Sequence, residues 1–292
     1  MSKILITGAT GKTGMAALRE LISRGADVRA MTRNPEKAST FEERGIPAAV
    51  ADFHNATSLN KALEGVDRMY LVSAPTQDMV QTEKNVINAA KKAGVEFVVK
   101  ISALGSHKES PFQLGQAHKA IEEYLQKSDL AHAILQPHGF MQNLIGSAAS
   151  IQAQGMIYAN AGDIGYPFID ARDIGSAAAQ LLMEGPEEHD GQSYVLTGPK
   201  ALTYAEMADI LAELLQRPVQ HVPISDEAAR DGMVQAGFPQ WLAEDLVRLN
   251  QLWRSNPDLY CTTTPLVGEL TGHPPRSFRT FVREHLQLFS TA

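Results

Sequence analysis

The chain has 292 residues, 44% of them hydrophobic, which is enough apolar material for a sizeable core. A formal net charge of −7 argues against direct nucleic-acid binding, because a phosphate backbone is gripped by a basic face. The single cysteine, Cys261, excludes an internal disulfide framework and a cysteine-rich metal site, and suits a reducing, cytoplasmic compartment.

The N-terminal MSKILITG carries one lysine and then a very short apolar run, which reads as a strand rather than a signal peptide. No apolar run reaches the roughly 18–20 residues that cross a bilayer, so no membrane segment is expected. Strands are predicted at 3–8, 27–33, 48–53, 68–74, 96–102 and 131–137. They are rich in Val, Ile, Leu and Ala and alternate only weakly, as parallel strands covered on both faces do. Helices are predicted between them at 13–24, 35–44, 57–64, 77–93 and 113–128. This alternation predicts an α/β fold of the Rossmann type, a doubly wound parallel sheet with ligands at the carboxyl ends of its strands.

The second half reads differently. YPFID (166–170), QSYVLTG (192–198) and VQHVPIS (219–225) are expected to be short strands. RDIGSAAAQLLMEG (172–185) reads as a helix whose small residues permit close packing. Thr203 and Glu206 fit a capping box at the start of another helix. Further helices are expected at 226–236, 239–254 and 276–289. The expected organisation is a nucleotide-binding core over 1–155 and a smaller C-terminal α/β cap over 156–292, with some of its segments returning to the core.

ITGATGKTG is the most informative segment. Gly8, Gly11 and Gly14 form GxxGxxG directly after a strand and at the start of a helix. The first glycine permits the turn, the second lets a pyrophosphate approach the backbone, and the third lets helix and strand pack closely. The helix N-terminus offers free N–H groups to phosphates. Gly8, Thr10, Gly11, Lys12, Thr13 and Gly14 are therefore candidate cofactor contacts. The second strand ends in AMTRNPEK, with Arg33 where an NAD-preferring site carries an acid. A guanidinium grips a 2′-phosphate by paired hydrogen bonds, so NADPH is expected over NADH; the alternative is a solvated Arg33 and loose cofactor choice. Asp52 either accepts from an adenine amino group or caps the next helix. Ser73 and Ala74, ending the fourth strand, are expected to border the cofactor ribose.

These motifs together with YPFIDARDIGSAAAQLL and VLTGPKALTYAEMADIL resemble the NmrA-like, NAD(P)H-binding group of atypical short-chain dehydrogenase/reductases, over nearly the whole chain. The resemblance implies either an NADPH-dependent reductase of quinones, azo dyes or triphenylmethane dyes, or a non-catalytic redox sensor that binds the nucleotide and regulates a protein partner. Ordinary members of the wider superfamily carry a Tyr-x-x-x-Lys pair on the helix after the fifth strand. Here LGQAHKAIEEYL falls on that motif, with Leu114 at the tyrosine position and His118 at the lysine position. Leu114 cannot transfer a proton, which removes the alcohol-dehydrogenation and epimerisation chemistry. Ser102 remains at the end of the fifth strand as a cofactor contact. His118 then contacts the nicotinamide ribose or the substrate, or donates a proton with an ordinary pKa near about 6.5, or is a helix-surface residue without function.

In the family's fold the loop LQPHGFMQN (135–143) lies beside the nicotinamide, so Pro137, His138, Gly139, Phe140 and Asn143 are candidates to frame it. Phe140 is either an aromatic wall for a flat substrate or a core residue. Asp173 is read as a structural anchor of its helix. No histidine spacing fits a metal site and no Gly-x-Ser-x-Gly occurs. The expected partner is a small aromatic or quinone-like molecule, and the expected state a monomer or homodimer.

Overall fold

The computed structural model describes residues 2–290. Strands β1 (Lys3–Ile6), β2 (Asp27–Thr32), β3 (Ala48–Val50), β4 (Arg68–Leu71), β5 (Phe97–Ile101) and β6 (Ala131–Pro137) alternate with helices α1 (Lys12–Ser23), α2 (Pro35–Glu43), α3 (Ala56–Ala62), α4 (Met79–Ala93) and α5 (Gln113–Gln126). A 3-10 turn (Met141–Ser147) then leads to α6 (Ala148–Gln154), β7 (Met156–Ala159), α7 (Ala171–Glu184), α8 (Pro186–His189) and β8 (Gln192–Leu196). The chain continues through α9 (Tyr204–Leu215), β9 (Gln220–Pro223), α10 (Asp226–Gln235), α11 (Gln240–Ser255), α12 (Pro257–Tyr260), α13 (Leu266–Thr271) and α14 (Phe278–Glu284).

The main sheet has seven parallel strands in the order β3-β2-β1-β4-β5-β6-β8, the Rossmann-like arrangement predicted above. Its two faces are built by the two-residue period of each strand. In β1, Ile4 and Ile6 pack with Leu18, Ile174 and Leu181 of α1 and α7, whereas Leu5 packs with Leu59, Val86 and Ile121 of α3, α4 and α5. The small residues of α7 do what their sequence predicts: a Cβ on Gly175 would lie 2.5 Å from Ala16 Cβ, so the helices α1 and α7 touch backbone to backbone.

β8 hydrogen-bonds along β6 and α7 covers the sheet, so residues 171–196 stand with the main sheet. YPFID forms no strand, contrary to expectation. It is an extended segment held by two isolated bridges, Tyr166 to Leu202 and Phe140 to Ile169. Its hydrogen bonds go to two different neighbours, so neither ladder grows. The strand not foreseen is β7, which pairs in parallel with β9 as a separate two-stranded sheet. A second core, around Met141, Leu144, Ile157, Leu211, Phe278 and Phe281, lies beneath that small sheet. Among the described residues no helix is long and apolar enough to cross a membrane.

Candidate active site

A cleft of about 410 Å³ runs along the carboxyl ends of β1 to β4. The candidate cofactor contacts Gly8, Thr10, Gly11, Arg33, Asp52, Ser73 and Ala74 line it. The glycine turn is sterically tight. Gly8 sits at φ +56°, in the left-handed region that an L side chain resists. A Cβ on Gly14 would lie 2.2 Å from Gly8 O, so any side chain there pushes α1 off β1. Gly11 stands at the N-cap of α1 and supplies no capping side chain, which leaves the first N–H groups of the helix unclaimed by a cap. Lys12 is not part of this lining; it leaves the loop and donates to Asn143 Oδ1 at 3.1 Å. That bond ties the glycine loop to the 3-10 turn after β6. Thr13 is buried beneath the loop.

The cleft contains residues the sequence reading missed. Lys37 and Asn34 line it beside Arg33. Asn34 caps α2 by accepting from the N–H groups of Glu36 and Lys37, which fixes Lys37 one turn from Arg33. The Asn-Pro pair that opens α2 was the available signal. Asp52 does not cap α3; Asn55 does, through a bond from Ser58 N. Asp52 instead accepts from His54 N at 2.8 Å and His54 Nδ1 at 2.9 Å, which hold its carboxyl below the usual range. His54 Nε2 reaches Asp78 across the rim at 2.7 Å, and the two carboxylates together raise its pKa.

The other predicted residues lie further along the same edge of the sheet. Ser102 is buried and its hydroxyl donates to Glu122 Oε1 at 2.6 Å, so it anchors α5 and does not line the cleft. Pro137 is buried and its carbonyl accepts from Leu104 N. Phe140 is half-buried against the sheet core. Asp170, not Asp173, caps α7. The buried Asp173 holds Arg276 by an ion pair and a backbone bond, anchoring the C-terminal segment.

His118 has a partner that spacing could not reveal. Lys100, the next-to-last residue of β5, is fully buried and pairs with Glu83 of α4 at 2.8 Å. It also donates to Ile101 O at 2.7 Å and lies 3.4 Å from His118 Nδ1. An ammonium has donors and no acceptor, so toward Lys100 it is Nδ1 that must accept. The ring proton then sits on Nε2. Burial, and then the Lys100 charge, push the His118 pKa well below its ordinary value. A neutral ring held by Lys100 disfavours an imidazolium proton donor, and the half-buried position on α5 disfavours a free surface residue. Glu83 completes the chain by accepting from Ser73 Oγ at 2.7 Å, so the network runs from the cleft lining to His118. The cap enters too. Asp245 of α11 is fully buried and accepts from the N–H groups of Gln113 and Leu114 at 2.5 and 2.9 Å. The helix that carries His118 is thus capped from another part of the chain.

Beyond Pro137 lies an aromatic cluster. His138 stacks on Trp253 of α11, ring centroids 4.2 Å apart, with Phe168 edge-on at 5.6 Å. Both ring nitrogens of His138 and Nε1 of Trp253 are buried with no hydrogen-bond partner. Each such orphan costs on the order of 1–3 kcal/mol. Burial pushes the His138 pKa down to about 3, so the ring is neutral at ordinary pH.

The comparisons agree with this architecture. A model of the NmrA-like family matches residues 1–258. NAD(P)H azoreductase of Xenophilus azovorans is 35% identical over 289 residues, 99% of this chain and 100% of that protein. The crystal structure of NADPH-dependent quinone oxidoreductase from Escherichia coli in complex with NADPH superposes with a TM-score of 0.86 at 29% identity, covering 97% of this chain and 99% of the other. Triphenylmethane reductase of Citrobacter sp. complexed with NADP(H) gives a TM-score of 0.85 at 27% identity, covering 97% and 99%. The match runs through glycine loop, sheet and cap alike: the chain belongs to the NmrA-like family of NAD(P)H-binding proteins.

Proposed function

We propose that this protein is an NADPH-dependent reductase that delivers a hydride to a flat aromatic acceptor of the quinone, azo or imine type. The observation that carries the cofactor choice is the pair Arg33 and Lys37 in the cleft at the end of β2, with no acid at that strand end. Two cations one helical turn apart suit a 2′-phosphate. The uncapped N-terminus of α1 and the turn of Gly8 and Gly14 suit a pyrophosphate. The fit is good, so these groups would hold the nucleotide, with Ser73 and Ala74 bordering its ribose. NADPH supplies the hydride when bound. The names of relatives matched over 99% and 93% of the chain, azoreductase and quinone oxidoreductase, support turnover over a sensing role.

The protein's own groups then position and polarise. His118, neutral and protonated on Nε2, donates a hydrogen bond to the acceptor's oxygen or nitrogen as charge builds there. Lys100 holds that tautomer. The proton that completes reduction comes from water, since the neutral His118 ring keeps its one Nε2 proton. Quinones and azo compounds are already electrophilic, so orientation suffices without a Tyr–Lys pair.

The deciding experiment is oxidation of NADPH and NADH against a panel of quinones, azo dyes and cyclic imines. NADPH is expected to win by at least about tenfold in kcat/KM, equal to about 1.4 kcal/mol. Arg33→Ser is expected to erase that margin by raising the KM for NADPH alone; an NADH preference in the unaltered protein sinks the reading.

His118 gives a separate pH test. A proton donor of ordinary pKa loses rate as pH rises through about 6.5. His118 is already neutral there, so kcat is expected to stay level between about pH 6 and 8. His118→Ala is expected to lower kcat by about 10–100-fold. A kcat that halves near pH 6.5 in the unaltered protein, and not in His118→Ala, refutes the neutral-donor role.

A further inference from the structure

We propose that His54, held between Asp52 and Asp78, is a proton-bearing strap across the rim of the nucleotide cleft, and that the nucleotide leaves faster once that proton is lost. The proposal rests on the cleft as the nucleotide site and not on the nature of the acceptor. Asp52, Phe53 and His54, between β3 and α3, line one bank of the cleft; Thr76 and Asp78, between β4 and α4, line the other. In the sheet, β2 and β1 stand between β3 and β4. The bridge therefore joins loops on either side of Arg33 and the glycine turn, the groups that face the nucleotide.

The bonding pattern dictates the proton count. His54 Nδ1 lies 2.9 Å from Asp52 Oδ1, and Nε2 lies 2.7 Å from Asp78 Oδ2. A carboxylate only accepts, so both ring nitrogens must donate, and only the imidazolium carries two N–H groups. A neutral ring keeps one bond and gives up the other. Both carboxyls stay ionised: bonds from His54 hold Asp52 below the usual range, and Thr76, then His54, do the same for Asp78. The other charges at this rim are Arg33, which acts on Asp52, and Lys37 on the same lining. Asn85 of α4 donates to Phe53 O at 3.0 Å whatever the ring does, so the loops stay tied and only the side-chain bridge opens. The two carboxylates raise the His54 pKa above its ordinary value near about 6.5. The bridge is therefore complete below that ordinary value and is lost as pH rises through the raised one.

The test reads release rather than turnover. Bound NADPH is chased with excess NADP+ in a stopped-flow instrument and its emission followed between about pH 7 and 9, above the titration of a phosphate near about 6. The His54 ring is 61% exposed, so the effect is sized as an exposed charge pair. The off-rate of the unaltered protein is expected to rise about three- to fivefold, with the midpoint of the His54 ring titration read by NMR. His54→Ala has no bridge at any pH, and its release is expected to be fast and level. Asp78→Asn separates a strap from a merely structural histidine. Its amide donates to the unprotonated Nε2 while Nδ1–H still serves Asp52, so the bridge needs no second proton and release is expected to stay slow throughout. A level off-rate in the unaltered protein, a midpoint that differs from that of the His54 ring, or an Asp78→Asn protein that releases as fast as His54→Ala overturns the strap and leaves the NADPH site standing. Failure to bind NADPH at any pH overturns the nucleotide site and the strap with it.

Discussion

Lys100→Met is expected to lower the free energy of unfolding by about 3–5 kcal/mol, because it leaves the Glu83 carboxylate buried without its cation. Lys100 is 0% exposed and Glu83 1%, so neither water nor salt compensates. The double variant Lys100→Met/Glu83→Gln removes both charges and is expected to recover most of that loss, since the amide oxygen introduced by Glu83→Gln still accepts from Ser73. Denaturant unfolding of the unaltered protein, the two single variants and the double variant gives the coupling energy directly. If the double variant is no more stable than Lys100→Met, the two side chains are not energetically paired. The recovered double variant has a second use. It is folded but no longer fixes the His118 ring proton, so its kcat is expected to drop about tenfold while the KM for NADPH holds.

Gly14→Ala is expected to weaken NADPH binding by about 100-fold, with a stability loss from overpacking of about 1–3 kcal/mol. The added methyl would sit 2.2 Å from Gly8 O, against backbone rather than a movable side chain. The helix must retreat from the strand, and the N–H groups that meet the phosphates retreat with it. Isothermal titration with NADPH measures the effect. Affinity within about threefold of the unaltered protein would mean that the junction yields elsewhere.

Much of this was readable in sequence because the signals were local. The glycine spacing, Arg33 after β2, and Ser73 and Ala74 after β4 each sit a fixed step beyond a strand, and the sheet carries them to one cleft. The capping box at Thr203 and Glu206 is local too, and both of its bonds are present. What failed to show was long-range pairing. A lysine inside the apolar run FVVKIS signals that a partner exists, but nothing in the run names Glu83 or His118. Asp245 reaches α5 from 131 and 132 residues away, beyond any motif. YPFID misled because its apolar residues face two cores without a continuous ladder. The Lys100 contact of His118 was equally hidden, because it joins a strand to a helix 18 residues on and is set only by the fold.

The place of β8 at the sheet edge has a consequence for biosynthesis. Its strand partner β6 ends at residue 137, yet β8 begins at residue 192 and α7, the helix packed on α1, begins at residue 171. A ribosome that has released residues 1–155 has therefore made six of seven strands and the whole glycine loop, but one face of the sheet is covered by α1 and α2 alone. Ile4, Ile6, Leu18 and Leu21 wait for Ile174, Leu181 and Leu182 to arrive. Cooperative closure of the nucleotide-binding half is thus a late event in synthesis, and a nascent chain stalled near residue 155 presents an apolar face to chaperones.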